Sequence, residues 1–295
     1  MNNINTAKHL LVLLVSTCFL FGYSCHSGKK TTSGQEKSRF KASYHLDFLF
    51  DTLTMEYFRQ EIYILQIGEK MTKGFTYHKF YLDSLNKASP DLYRKLFSAS
   101  VQESIEAMRR TGDLSYVRNN SFTFGGFPSE LYKDYRKKEI SVKDIISIHW
   151  FVYRDEMKPQ EWVLLSDTAT IMGYLSQKAI CRWRGRDWEA WFTSEVPISE
   201  GPWKFYGLPG LITKLHDTQK HYSFELIGFR ETVEPIDTKI PSNVQKIERK
   251  EFLRTKFGEK GQLINNADMA SVGLHNEEPK TRQYDYIERD YKKYK

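Results

Sequence analysis

Cysteine is almost missing from the folded part of this chain. Of 3 cysteines in 295 residues, Cys18 and Cys25 lie in or at the end of an apolar leader, so Cys181 alone remains in the body. That excludes an intrachain disulfide there, and it excludes a metal site built on thiolates. Charge of one sign is not in large excess either: 44 Lys and Arg against 37 Asp and Glu leave +7, scattered rather than gathered into one block. With no nucleic-acid motif beside it, this balance argues against DNA or RNA as a partner. The sequence also lacks a P-loop, a nucleophile elbow, a Gly-rich dinucleotide loop and a zincin helix. No enzyme, no cofactor and no metal are therefore expected.

Aromatic residues are abundant, at 15% with 18 Tyr. Rings at that density suit half-buried sheet faces better than a helical bundle. The N-terminus, "MNNINTAKHLLVLLVSTCFLFGYSC", has Lys8 and then an apolar run from Leu10 to Tyr23. That run is shorter than the roughly 20 residues a membrane helix needs and reads as an export signal. Two cleavage readings stay open: a small-residue site near Ser24, or a lipoprotein signal that makes Cys25 the acylated first residue. "FGYS" is a loose lipobox, with Gly22 and bulky Tyr23, although Ser24 fits. The polar "HSGKKTTSGQEKSR" that follows suits a tether. The expected organisation is a signal over residues 1–24, a tether over 25–42 and one β-rich domain over 43–295 with a flexible tail from about 255. Basic residues after Cys25 favour retention on the periplasmic side of a bacterial envelope.

Along the body, alternation at Tyr57, Ile62, Ile64 and Ile67 and then at Phe75, Tyr77 and Phe80 predicts paired strands with a turn between Gly68 and Gly74. A helix is expected from Ser89 as N-cap and Pro90 at the first position to Gly112, with Leu92, Leu96, Phe97, Val101, Ile105 and Met108 on one side. "SELYKDYRKKEISVKD" reads as a short second helix. Farther on, "EWVLL" reads as a strand, "SDT" as a turn and "TIMGYLSQKAICRW" as a strand with Ala179, Cys181 and Trp183 on one face. "RGRD" turns the chain back. "WEAWFT" puts Trp188, Ala190 and Phe192 together, and "HYSFELIGF" does the same for Tyr222, Phe224 and Leu226. The fold class is mainly β with α: a curved antiparallel sheet, half-barrel-like in outline, with one or two helices.

The stretch "GPWKFYGLPGLITKLHD" poses a question. Leu208-Pro209-Gly210-Leu211 has the composition of a type II turn with φ > 0 at Gly210. Yet its flanks, Trp203, Phe205, Leu208, Leu211 and Ile212, are apolar where a surface turn would be polar. "GYLSQKAICRWRGRDWEAWFTSEVPISEGPWKFYGLPGLITKLHD" resembles the GLPGLI family of bacterial envelope proteins, whose motif stands here as Gly207 to Ile212. The likeness spans about residues 161–228. It implies an envelope protein, and the family carries no established activity.

Three roles remain open for the motif: a cap on the core, the lining of a site for a hydrophobic ligand, or an exposed docking patch. The candidate ligand or partner surface is Trp203, Phe205, Leu208, Pro209, Gly210, Leu211 and Ile212. Alternation places Trp203 and Phe205 on one face and Lys204 on the other, and Leu208 is expected nearer the rim than Leu211. His216, Asp217 and His221 make at most a weak metal constellation and read as turn residues. Asp187 and Glu189 read as ion-pair partners of nearby arginines. The favoured function is non-enzymatic binding of an apolar or amphipathic ligand in the concavity of the sheet, with lipid attachment at Cys25. The alternative is an accessory module docking on an outer-membrane transport or secretion protein. Sugars on aromatic platforms come third.

Overall fold

The protein is described from a computed structural model covering residues 35–49, 58–111, 127, 130–146, 149–258 and 286–290. The chain divides into two units, residues 1–35 and 36–295. The second is described here. It is mainly β, with one large open mixed sheet and, among the described residues, three helices. In chain order the strands are β1 (Ser38–Leu49), β2 (Phe58–Gly68), β3 (Met71–Thr76), β4 (Glu130–Asp134), β5 (Glu139–Ile146) and β6 (His149–Glu156). Then follow β7 (Val163–Ile171), β8 (Tyr174–Trp183), β9 (Arg186–Thr193), β10 (Leu211–Asp217), β11 (Tyr222–Glu231) and β12 (Gln245–Lys246). Helices α1 (Tyr77–Ala88) and α2 (Pro90–Thr111) lie between β3 and β4, and α3 (Arg249–Phe257) follows β12.

The strand order is β12-β6-β5-β4-β3-β2-β1-β11-β10-β9-β8-β7. Every pairing is antiparallel except β12 on β6, which makes the sheet mixed rather than antiparallel throughout. β1 sits in the middle, paired with β2 on one side and with β11 on the other. One face is the core face. It carries Tyr44, Leu46 and Phe48 of β1, Tyr63 and Leu65 of β2, Val142 of β5, Trp188, Ala190 and Phe192 of β9, and Phe224 and Leu226 of β11. The alternation expected for β8, β9 and β11 is the one observed, with Ala179, Cys181, Trp188 and Tyr222 buried.

Several elements differ from the sequence reading. Tyr77 and Phe80 belong to α1, not to a strand, because the Thr76 hydroxyl accepts from the Lys79 backbone N–H at 3.3 Å and caps a helix there. The expected helix from Pro90 is present, but Leu92, Leu96 and Phe97 stay exposed; Gly112 and the side chain of Met108 lie outside the described residues. The Lys/Tyr-rich segment is the β4–β5 hairpin. Asp134 Oδ1 accepts from the Arg136 and Lys137 backbone N–H groups, each at 3.1 Å, and shapes its turn. Ser166 to Thr168 is no turn but an irregularity inside β7. The chain reverses instead at Met172-Gly173, where φ is 50° and 82°, the pattern of a two-residue hairpin. Residues 38–42, assigned by composition to the tether, open β1, with Ala42 in the core. Residues 286–290, inside the segment read as a flexible tail, hold the fully buried Ile287 and Glu288. Tyr57 lies outside the described residues.

Candidate functional site

The apolar turn is explained by where it goes. Residues 196–212 leave β9, cross the core face and return as β10, held by short backbone links. Leu211 N donates to Val196 O at 3.0 Å, Ile212 N to Glu200 O at 2.9 Å, and Gly207 N to the Ser199 hydroxyl at 3.0 Å. Trp203, Phe205, Leu208, Leu211 and Ile212 are each 0–1% exposed. Phe205 is surrounded by rings, with Trp188 at 4.6 Å, Trp183 at 4.8 Å and Trp162 at 6.1 Å between centroids. Trp203 packs edge-on against Phe127 at 5.1 Å. The motif fills the core, and Leu208 is as buried as Leu211. Of the proposed surface, only Pro209 faces solvent.

The type II turn is also corrected. Positive φ belongs to Gly207, at 95°, and not to Gly210. Gly210 N donates to Leu208 O at 2.8 Å, which closes a three-residue turn around Pro209. Gly210 is required for another reason. A Cβ there would stand 2.0 Å from the Thr193 carbonyl oxygen and 2.6 Å from its carbon. Trp203 adopts φ 55°, an uncommon conformation for a bulky residue, imposed by packing on all sides.

Lys204 does not point away from Trp203 and Phe205 into water. It is 1% exposed, and its Nζ lies 2.8 Å from Asp155 and 2.7 Å from Glu288. Arg184 reaches Asp155 at 2.9 Å, Glu288 at 3.1 Å and Asp290 at 3.3 Å, while Arg249 reaches Glu288 at 2.6 Å and Asp290 at 2.8 Å. Three cations thus meet three carboxylates, and Trp203 Nε1 donates to Glu288 at 3.1 Å. Burial alone would raise the Glu288 carboxyl, but Lys204, Arg184 and Arg249 outweigh it and hold it well below the usual range. A second buried pair, Lys133 with Glu200 at 2.7 Å, ties β4 to the same loop. Lys133 also donates to the carbonyls of Gly201 and Phe205 at 3.1 and 3.0 Å. Burial lowers its pKa against the pull of Glu200. In both sets each cation faces at least one carboxylate, although Arg249 Nε, 3.4 Å from Asp155, makes no hydrogen bond.

The other sequence candidates are structural as well. Asp217 is buried against Arg186 at 2.7 Å and accepts from Tyr222 N at 2.9 Å. His216 faces Glu189 at 3.3 Å, Glu189 pairs with Lys178 at 2.7 Å, and Asp187 pairs with Arg182 at 3.0 Å. Burial, then the charge of Asp187, pushes the Cys181 thiol up to about 12, so it carries no thiolate at neutral pH. Among the described residues no group of three or more His, Cys, Asp or Glu could hold a metal. Cys25 lies outside them. Among them, too, no helix is long and apolar enough to cross a membrane.

What sequence reasoning missed lies on the opposite face. An open cleft of about 310 Å³ is lined by His45, Gln60, Glu61 and Ile62 of β1 and β2 and by Tyr77, His78 and Tyr81 of α1. β1 and β2 pair His45 with Ile62, and α1 brings its first two turns alongside. Ile62, Tyr77 and Tyr81 are 40%, 43% and 44% exposed, so the cleft offers ring faces and a branched aliphatic surface to solvent. His45 Nε2 lies 3.2 Å from Asp47 Oδ1, and Gln60 donates to the same oxygen at 3.0 Å. Burial pushes the Glu61 carboxyl up to about 7, against the opposing charge of Arg59. Among the described residues of the lining, Glu61 is the one carboxylate and there is no Ser, Thr or Cys. The signal in the sequence was Tyr77 with Tyr81, an i,i+4 pair visible only once a helix, rather than a strand, was assigned there.

A sequence family described as "Protein of unknown function (Porph_ging)" matches residues 182–214, the stretch from the end of β8 through β9 and the buried loop into β10. No curated protein matches the chain. Two solved structures of PNGF-II, in P21 and C2 space groups, are similar at 14% identity, with TM-scores of 0.45 and 0.43. They cover 75% and 72% of this chain. The chain spans about a third of the length of those proteins, 33% and 32%.

Proposed function

We propose that the protein is an exported, lipid-anchored and non-enzymatic member of the GLPGLI type, held on the periplasmic side of a bacterial envelope, and that its domain binds an amphipathic ligand. The leader, Cys25 and the polar run after it support the anchoring. A half-barrel-like curvature is supported by the core, which draws on β5 and β9 together although they stand seven places apart in the sheet. In a flat sheet that is roughly 33 Å. The concavity is not the ligand site in this reading, because the motif's own side chains fill it.

The observation that carries the binding role is the cleft at α1. It leaves Tyr77, Tyr81 and Ile62 half-exposed beside His45, Gln60 and Glu61. Ring faces edged by hydrogen-bonding groups suit a ligand with both apolar faces and polar rims, such as a sugar or a lipid headgroup. Mass spectrometry of the protein purified from membranes tests both halves. Denatured, the chain is expected to start at Cys25 and carry acyl chains; native, it is expected to hold an adduct that is lost in Tyr81→Ala. An unmodified chain sinks the anchor, and an adduct-free wild type sinks the ligand.

A further inference from the structure

The two ends of the sheet are finished differently. At one end β12 pairs along β6 and α3 packs beside it. At the other, β7 runs for 9 residues with no described strand beyond it. None of its residues is buried on either face. Among the described residues no strand pairs with its outer N–H and C=O groups, and although an irregularity between Leu164 and Thr168 interrupts the edge, the strand has no Lys and no Pro along "VLLSDTATI". Its sequence is nonetheless strongly strand-forming, with Val163, Thr168, Thr170 and Ile171 β-branched. Apolar surface frames it: Val163 is 57% exposed, Leu164 47% and Leu175 60%. A strand that buries nothing in its own domain has surface to bury elsewhere.

We propose that β7 is a strand-addition site for an extended segment of another protein that carries apolar residues at alternate positions and a basic residue at its centre. The charge pattern of β7 selects this occupant over a second copy of the chain. Asp167 is its only charged residue and stands at the midpoint of Val163–Ile171. Full-length antiparallel pairing of β7 with itself sets Asp167 opposite Asp167, which is repulsive, whereas a Lys or Arg there is attractive. The backbone is poised to pair. Ile171 and Tyr174 flank the two-residue turn and take the bonded position, so Thr170, the next residue along, turns its N–H toward the free edge.

The test uses the purified full chain and two synthetic nine-residue peptides of alternating Val and Thr, one with Lys and one with Glu at the centre. Binding is read by protection of β7 amides from hydrogen exchange. The Lys peptide is expected to bind about fivefold more tightly than the Glu peptide. Asp167→Lys is expected to invert that order, and Thr170→Pro to abolish binding of both at an unchanged melting temperature. If Thr170→Pro does not fold, Asp167→Lys alone carries the test. Absence of β7 protection, or equal affinity for the two peptides, overturns the proposal. So does a dimer of the chain alone, seen by sedimentation, that protects β7.

Discussion

The loop over residues 196–212 is fastened by opposite means at two places. Near β10, Gly210 lies against the Thr193 backbone with no room for a single added carbon, and Leu208, Leu211 and Ile212 are packed in apolar surroundings. Near its middle, Lys204 is held by Asp155 and Glu288 inside a set of three cations and three carboxylates. The first fastening is a matter of volume and fails by overlap. The second is a matter of balance. Removing one of its members leaves charges buried without compensation, at a cost well above the net worth of the intact set.

The largest effect is therefore expected from the charged fastening. Glu288→Gln leaves Lys204, Arg184 and Arg249 facing two carboxylates, and is expected to destabilise by about 3–5 kcal/mol in urea unfolding. A loss below about 1 kcal/mol would mean that solvent reaches the cluster and that the contrast between the two fastenings is false.

Gly210→Ala comes next, at about 3 kcal/mol, because the added carbon meets backbone atoms that belong to β9 and cannot swing aside. Pro209→Ala, at the exposed tip, is expected to cost less than about 1 kcal/mol. Equal costs at the two positions would return the turn to a conformational rather than a steric account.

A further effect lies outside the loop and appears only in acid. Burial would raise the Glu130 carboxyl, but Lys73, Lys79 and Lys143 prevail and bring it from an ordinary 4.5 down to about 2. A carboxylate depressed in the folded state contributes stability that is fully present above the unfolded value and fades as pH falls through the folded one. Melting temperature is thus expected to drop between about pH 4.5 and pH 2, with a shallower fall in Glu130→Gln. Parallel curves for the two proteins would remove Glu130 from the account.

The same distinction between volume and balance separates what was legible in the sequence from what was not. β8, β9 and β11 show their inward residues as plain apolar alternation, Ala179 with Cys181, Trp188 with Phe192, Tyr222 with Phe224. β4 and β5 do not, because Lys133 and Asp144 occupy inward positions and read as solvent-facing until Glu200 and Lys256 are placed beside them. Lys204 misled for the same reason. Its partner Glu288 stands in a segment whose composition suggested a flexible tail. At Gly210 the expectation of a positive φ fails, because sequence does not distinguish a glycine needed for its dihedral from one needed for its missing side chain. The cleft stayed hidden because the short strand β3 passes into α1 without a break in apolar spacing, and Thr76 alone marks the change.

Trp203 and Glu288, hydrogen-bonded in the core, stand 85 residues apart along the chain. β1 likewise sits between β2 and β11, so its second neighbour is made much later than its first. A chain delivered N-terminus first through a narrow channel would emerge with its central strand half-paired and its tryptophan plug without an acceptor. Such a chain can form its hairpins as they emerge, but it completes its central strand and its buried charged cluster only after nearly all of it has passed.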